Sequence, residues 1–169
     1  MNSITIVASA SSRLLADIVL IRLRRAEIEC RKISALFPIR STPNAVGCWL
    51  PISSGPGIRL GDDTIACAGL LRQVPVRPAD SIRGPVGLVE LLTSTGVDTM
   101  GAHVLIEQLE QGHILICVHA TNEAEASIVW HVFRHSGGEP IVVGGLPSPG
   151  AARGSDESRR VPPRVPVAA

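Results

Sequence analysis

Apolar positions near the C-terminal end of the chain follow the pattern of a strand, a helix and a second strand. Residues 114–118 form an uninterrupted apolar run that is too short for a buried helix and is rich in branched side chains. Such a run is typical of a strand that is covered on both faces. Thr121 or Asn122 can cap a following helix, Gly137 can end it, and residues 139–143 then predict the second strand.

The same pattern occurs near the N-terminus. A shift of 110 positions, without gaps, places Ile4 on Ile114, Ala10 on Ala120 and Val19 on Val129. Matching strand and helix positions under one shift indicate two copies of a βαβ unit, at residues 3–37 and 113–144. Two such units predict an α+β fold of the ferredoxin-like type, a two-layer sandwich in which a four-stranded antiparallel sheet carries both helices on one face.

The chain between the two units divides into a loop-rich part and a helical part. Residues 38–83 are rich in Pro, Gly and Ser and predict a long insertion, within which residues 64–71 could form a short helix or strand. Residues 84–111 predict a helical hairpin whose second helix is capped by Asp98. We therefore expect a single α+β domain over residues 1–145, followed by a disordered Pro/Arg-rich tail at 146–169.

Composition narrows the classes of function. The formal net charge of +1 gives no general reason to expect nucleic acid or an anionic membrane as a partner. No segment approaches the roughly 20 apolar residues of a membrane-spanning helix, and the N-terminus lacks the positive leader of a signal peptide, so we expect a cytoplasmic protein. Apolar residues make up 45% of the chain and the mean hydropathy is +0.28, which favours a homo-oligomer or a protein partner.

Histidines and cysteines offer the first candidates for chemistry. His131 and His135 lie four positions apart on a predicted helix, a spacing at which two imidazoles can reach one metal ion, but no third ligand accompanies them. Cys117 and His119 share one face of a predicted strand, again without a third ligand. Structural roles are favoured for all of them. The cysteines lie far apart without a CxxC pair, which predicts reduced structural thiols; they are Cys30, Cys48, Cys67 and Cys117.

Two further patterns carry weaker signals. Residues 55–63 (GPGIRLGDD) look like a phosphate-binding loop followed by metal-binding acids, but they lack the spacing and the Lys-Ser/Thr ending of a P-loop, so a plain turn is favoured. A basic edge could form, but RNA binding by such a sheet needs exposed strand aromatics, and only Phe37 is available. A solvated helix end is the favoured interpretation of this edge, which contains Arg22, Arg24, Arg25, Arg31 and Lys32. We predict no catalytic, cofactor-binding or metal-binding residues and no cofactor.

The order of these parts resembles the YflT-type general stress protein domain, a bacterial family of heat- or stress-induced proteins. The resemblance lies in the opening ITIVASASSRLLADIVLIRLRRAEIECRKISALFP, in GPVGLVELLTSTGVDTMGAHVLIEQLEQG, and in GHILICVHATNEAEASIVWHVFRHSGGEPI, and it covers about residues 3–144. Relatives usually have a Gly/Ala-rich apolar middle, whereas residues 49–76 here are punctuated by Pro and carry Arg59, Asp62, Asp63 and Arg72. The resemblance implies an association with stress and no catalytic residues.

Together these observations predict a non-enzymatic, stress-associated protein that acts through self-association or a protein partner. The alternative is a small-molecule-sensing regulatory domain, which would bind its ligand at a subunit interface or at a glycine-rich turn.

Overall fold

The computed structural model describes residues 3–44, 46, 50, 57–69 and 85–145. The elements in chain order are β1 (Ile4–Ala10), α1 (Arg13–Arg25), β2 (Ile33–Pro38), β3 (Ile58–Leu60), β4 (Asp63–Gly69), α2 (Pro85–Ser94), α3 (Thr99–Glu110), β5 (Ile114–Ala120), α4 (Glu123–Ser136) and β6 (Ile141–Gly145). The strands form one six-stranded sheet in the order β3-β4-β2-β5-β1-β6. Every neighbouring pair in it is antiparallel, so the chain is a mixed α+β protein.

The helix ends follow the capping residues that the sequence predicts. The side chain of Ser12 accepts a hydrogen bond from the backbone N–H of Leu15 at the start of α1, and Asn122 does the same for α4. Asp98 caps α3 by accepting from the backbone of Gly101. Gly137 ends α4 in the left-handed conformation, at a φ of 78°. Local sequence therefore determines where these helices begin and where α4 ends.

The two halves of the chain are related by a pseudo-twofold axis. The shift of 110 residues carries the first residue of β1 onto that of β5, and the first residue of α1 onto that of α4. In the pairing of β1 with β5, Val7 lies opposite Cys117, and these two residues are also equivalent under the shift. The axis therefore passes between them. β2 and β6 begin at Ile33 and Ile141, a shift of 108, because the segment from the start of α1 to the start of β2 is two residues longer than its equivalent in the second half.

The sheet is larger than predicted and is covered on both faces. It has six strands and not four, because residues 58–69 of the predicted insertion form the β3–β4 hairpin and β4 pairs with β2. It is also covered by helices on two faces and not one, because α2 and α3 pack on the face opposite to α1 and α4. The arrangement is thus helices, sheet and helices, in place of a two-layer sandwich.

Each face of the sheet has its own apolar core. On the α1–α4 face, Ile6 and Ile116 pack with Phe133, whereas Leu115 on the opposite face packs with Leu105. Because both sets are buried, β5 has no polar side and occurs in the sequence as a continuous apolar run. Among the described residues, no helix has the length and apolar character needed to cross a bilayer. The predicted tail, 146–169, lies outside the described residues.

Candidate functional site

A hydrogen-bonded chain of side chains lies on the α2–α3 face of the sheet. The hydroxyl of Thr5 donates to the carbonyl of Thr95 at 2.6 Å, and the same oxygen lies 3.1 Å from Nδ1 of His119. A hydroxyl has one proton to give, so Thr5 must accept from His119, which places the imidazole proton on Nδ1. Nε2 then carries a lone pair, and it lies 3.8 Å from Sγ of Cys117. The thiol therefore donates to the imidazole.

Burial favours the uncharged forms of this Cys–His pair. It raises the pKa of the Cys117 thiol to about 12 and lowers the pKa of His119 below its usual value of 6.5. Both shifts favour the neutral thiol and the neutral imidazole, whereas a nucleophilic cysteine needs the thiolate. Burial also raises the pKa of Cys67, to about 11. The sequence correctly placed Cys117 and His119 on one face, but it missed Thr5 and Thr95, which are 90 positions apart.

The predicted histidine pair on α4 is exposed and lies in an aromatic cluster. The ring centroids of His131 and His135 are 5.9 Å apart, and Nδ1 of His135 lies 2.9 Å from the carbonyl oxygen of His131. Trp130 packs edge-on against His131 at 5.4 Å, and the guanidinium of Arg134 lies 5.0 Å from the centre of the Trp130 ring system. Within the described ranges, no group of three or more His, Cys, Asp or Glu residues is arranged to hold a metal ion.

The glycine-rich segment is a hairpin turn. Gly61 and Asp62 connect β3 to β4, and Gly61 adopts a φ of 60°, which favours glycine at this turn. Asp63 accepts a hydrogen bond from Nη2 of Arg40 at 2.7 Å, and Asp62 is exposed to solvent. Asp63 is therefore held by Arg40, whereas Asp62 faces solvent. Residues 55–56 of the segment lie outside the described residues.

Several of the basic residues are held by partners in the same chain. Nη1 of Arg22 donates to the carbonyl of His135 and to Oγ of Ser136, both at 3.1 Å, which ties α1 to the end of α4. Arg31 pairs with Glu29. The side chain of Phe37, the aromatic that RNA stacking would require, is buried. These contacts support a structural role for the basic edge.

Another ion pair fastens the start of β2 to α4. Nζ of Lys32 lies 2.7 Å from Oε1 of Glu125, while Oε2 accepts hydrogen bonds from the backbone N–H and the hydroxyl of Thr121. Burial alone would raise the pKa of the Glu125 carboxyl. The hydrogen bonds from Lys32 and Thr121, with the charge of Lys32, outweigh it and bring that pKa below its usual value. Glu125 is therefore held in its charged form.

The two edges of the sheet differ in length and charge. β3 is three residues long and carries the exposed side chain of Arg59, features that protect an edge from pairing with other chains. β6 is five residues long, IVVGG, without any charge, and its Val143 is 57% exposed. No described strand pairs with its outer side. We call Ile141–Gly145 the β6 edge.

The backbone register shows which groups the β6 edge presents. The N–H of Ser9 donates to the carbonyl of Pro140, which makes these two a hydrogen-bonded pair between β1 and the start of β6. Hydrogen-bonded and non-hydrogen-bonded pairs alternate in an antiparallel ladder. The N–H and C=O groups of Ile141, Val143 and Gly145 therefore point away from β1, towards the open side.

One flank of α4 is only partly covered. Arg22 of α1 reaches the end of α4, so this side of α1 faces α4. Leu20 lies on the opposite side of α1. Because the two halves are related by the pseudo-twofold axis, the equivalent of Leu20 on α4 faces away from α1. On α1 this flank is buried, in a cluster that contains Val46 and Leu50. On α4 its equivalents under the 110-residue shift are half-buried or exposed. We call these residues, Ala126, Ser127 and Trp130, the α4 flank. The repeat itself contains a signal for this flank, because the shift places a tryptophan opposite a core leucine.

No family model, curated protein or solved structure matches this chain. The resemblance to the YflT-type general stress protein domain stays a prediction.

Proposed function

We propose that this protein is a non-enzymatic, stress-associated domain with a ferredoxin-like core, and that it acts by associating with a second copy of itself. The observation that carries the proposal is the β6 edge, five uncharged residues with outward-pointing backbone groups. An unprotected edge of this kind is a template for a further strand. The other edge is short and charged, so one side of the sheet is suited to association.

The ferredoxin-like core of the proposal is supported by the strand order. Four consecutive strands, β2-β5-β1-β6, alternate between the two halves of the chain, and α1 and α4 pack on one face of them. Two interlocked βαβ units would give this order. In this view the β3–β4 hairpin and the α2–α3 pair are additions at one edge and on the second face.

The non-enzymatic part of the proposal is supported by the protonation of the Cys117–His119 pair. The thiol keeps its proton because burial disfavours the thiolate, and the imidazole beside it stays neutral. The association with stress rests on the resemblance alone. Protein abundance before and after heat, ethanol or oxidant treatment, measured by immunoblot, tests it, and unchanged abundance under all three would count against it.

Light scattering coupled to size exclusion tests self-association of the full chain. We expect a mass of twice the 17.8 kDa of one chain in the concentration range of about 10 to 100 μM, with dissociation on dilution. A mass of one chain throughout that range would refute the proposal.

A further inference from the structure

We infer that two copies of this chain join through the β6 edge, which pairs antiparallel with the same edge of the second copy about a twofold axis at Val143, and through the α4 flank around Trp130. This inference rests on the proposed self-association and specifies where it occurs. It follows from comparing the two halves of the chain, because the first half already contains the contact that the second half lacks.

The template for the interface is the pairing of β2 with β4. β2 is equivalent to β6 under the shift of 108, so Ala35 corresponds to Val143. Ala35 pairs with Ala68 of β4, which is fully buried, and both belong to the core cluster that contains Leu20 of α1. On the second half, Val143 is 57% exposed, and Trp130 stands in the position of Leu20. A second copy would place its own Val143 where Ala68 lies in the first half.

The backbone groups of the β6 edge fix the register of this pairing. The outward N–H and C=O groups belong to Ile141, Val143 and Gly145, three alternate residues with Val143 at the centre. A twofold axis at Val143 pairs that residue with its equivalent and pairs Ile141 with Gly145 of the second copy. All three outward residues on each strand then take part, which gives about six new backbone hydrogen bonds.

The position of α4 leaves room for side chains in this arrangement. α4 lies over β1 and β5 more than over β6. Strands lie roughly 4.8 Å apart, so two α4 helices related by the axis would be about 14 Å apart. This separation exceeds the roughly 8–10 Å of directly packed helices, so large side chains must fill the gap. The Trp130 side chains of the two copies would fill the space between them.

The composition of the chain after β6 favours a second copy over the chain's own end as the occupant. Residues 146–169 contain five prolines, which cannot donate to a ladder. Their longest stretch without proline, residues 150–161, carries five charged side chains. A strand with these charges is a poor partner for the uncharged β6 edge, which lies beside an apolar flank. An identical strand brings Ile, Val and Gly to the same positions and adds no charge.

The inference is tested with two substitutions in the full chain and a matched control. Val143→Lys places two like charges directly opposite each other, and Trp130→Ala removes the side chain between the helices. Met100→Lys is the control, because Met100 is 74% exposed and lies on α3, on the other face of the sheet. Dimer dissociation constants from sedimentation equilibrium should rise roughly 30-fold or more for the two test variants and less than about threefold for the control.

A crosslink provides a second measurement that does not depend on weakening the dimer. Residues of a hydrogen-bonded pair have Cα atoms about 5.5 Å apart, within the range for a disulfide. Val143→Cys should therefore form a covalent dimer under mild oxidation, whereas the wild type and Met100→Cys should not. These two controls measure any crosslinking through the native cysteines. Circular dichroism melts verify that each variant is folded.

The outcomes separate the inference from the proposed function. A dimer that persists in Val143→Lys and Trp130→Ala, with no covalent dimer in the Val143→Cys variant, would overturn this interface and leave self-association standing. A wild-type monomer at every concentration would overturn both. A monomer that dimerises only after residues 146–169 are deleted would show that the chain's own end occupies the edge, which also overturns the inference.

Discussion

Replacement of Thr5 by valine removes the centre of the hydrogen-bonded chain while keeping the shape of the side chain. The hydroxyl of Thr5 is buried, donates to the carbonyl of Thr95 and accepts from Nδ1 of His119. Thr5→Val therefore leaves a carbonyl and an imidazole N–H without their partner. Each buried polar group left unpaired costs about 1–3 kcal/mol. Because His119 is half-exposed and water can replace part of its bond, we expect a total loss of about 3 kcal/mol in the free energy of unfolding.

Urea denaturation followed by circular dichroism measures this loss, and the melting temperature should fall by about 6–12 °C. Thr5→Ser is the matched control, because it keeps the hydroxyl and removes a buried methyl group, at a cost of about 1 kcal/mol. A Thr5→Val protein within about 0.5 kcal/mol of the wild type would refute the reasoning. So would a serine variant less stable than the valine variant.

The tautomer assigned to His119 can be tested in the wild-type protein. In the wild type the imidazole proton should lie on Nδ1, because the Thr5 hydroxyl gives its only proton to Thr95. Nitrogen-15 chemical shifts of the ring distinguish the two tautomers directly. A ring protonated on Nε2 in the native protein would contradict this hydrogen-bonded chain.

Three further results are expected. Burial lowers the pKa of His119 below the 6.5 of the unfolded chain, so the native state binds fewer protons than the unfolded state. The free energy of unfolding should therefore fall as the pH drops below about 6.5. His119→Gln should reduce this dependence on pH, measured by urea denaturation at a series of pH values. Glu125→Gln should cost about 1–3 kcal/mol at pH 7, because it removes the carboxylate 2.7 Å from Lys32 and leaves Lys32 with the longer, 4.0 Å pair to Glu29. This difference should shrink as the wild-type carboxylate is protonated below pH 4.5, whereas an equal difference at pH 3 would argue against it. Gly69→Ala should lower the free energy of unfolding by at least about 3 kcal/mol, because φ is 79° and the added Cβ would collide with the carbonyl of Ile33. Gly137→Ala has a similar φ of 78° but open space around the added Cβ, so it should lower that free energy by only about 1–2 kcal/mol. Equal melting temperatures for the two variants would contradict this account.

Local patterns in the sequence predicted the elements whose signals are local. The cap at Asn122, the glycine that ends α4 and the uninterrupted apolar run of β5 all depend on residues within one element, and they lie where expected. The β3–β4 hairpin could not be identified in this way. Its seven-residue strand DTIACAG fits a helix or a strand equally well, and its pairing with β2 decides between them. That pairing is a contact between distant parts of the chain.

In the candidate site, too, the sequence predicted the contacts within one element and missed those between distant parts of the chain. The shared face of Cys117 and His119 follows from the alternation of side chains along one strand, and the structure brings them together. Thr95 joins them from a turn after α2, and no pattern near β5 points to that turn. The sequence also did not show that Trp130 is only half-buried, because a tryptophan on a helix looks like a core residue until the neighbouring elements are placed.

The way in which the two halves interlock has a consequence for synthesis on the ribosome. β1 and β2 are not neighbours in the sheet, since β5 lies between them and pairs with both. The N-terminal strand therefore has no partner until residues near Ile114 have left the exit tunnel, about 110 residues after Ile4. At translation rates of about 5–20 residues per second, this delay is roughly 5–20 s. During that interval an apolar strand remains unpaired in the nascent chain, so production of this protein should be unusually sensitive to the supply of chaperones that hold such segments.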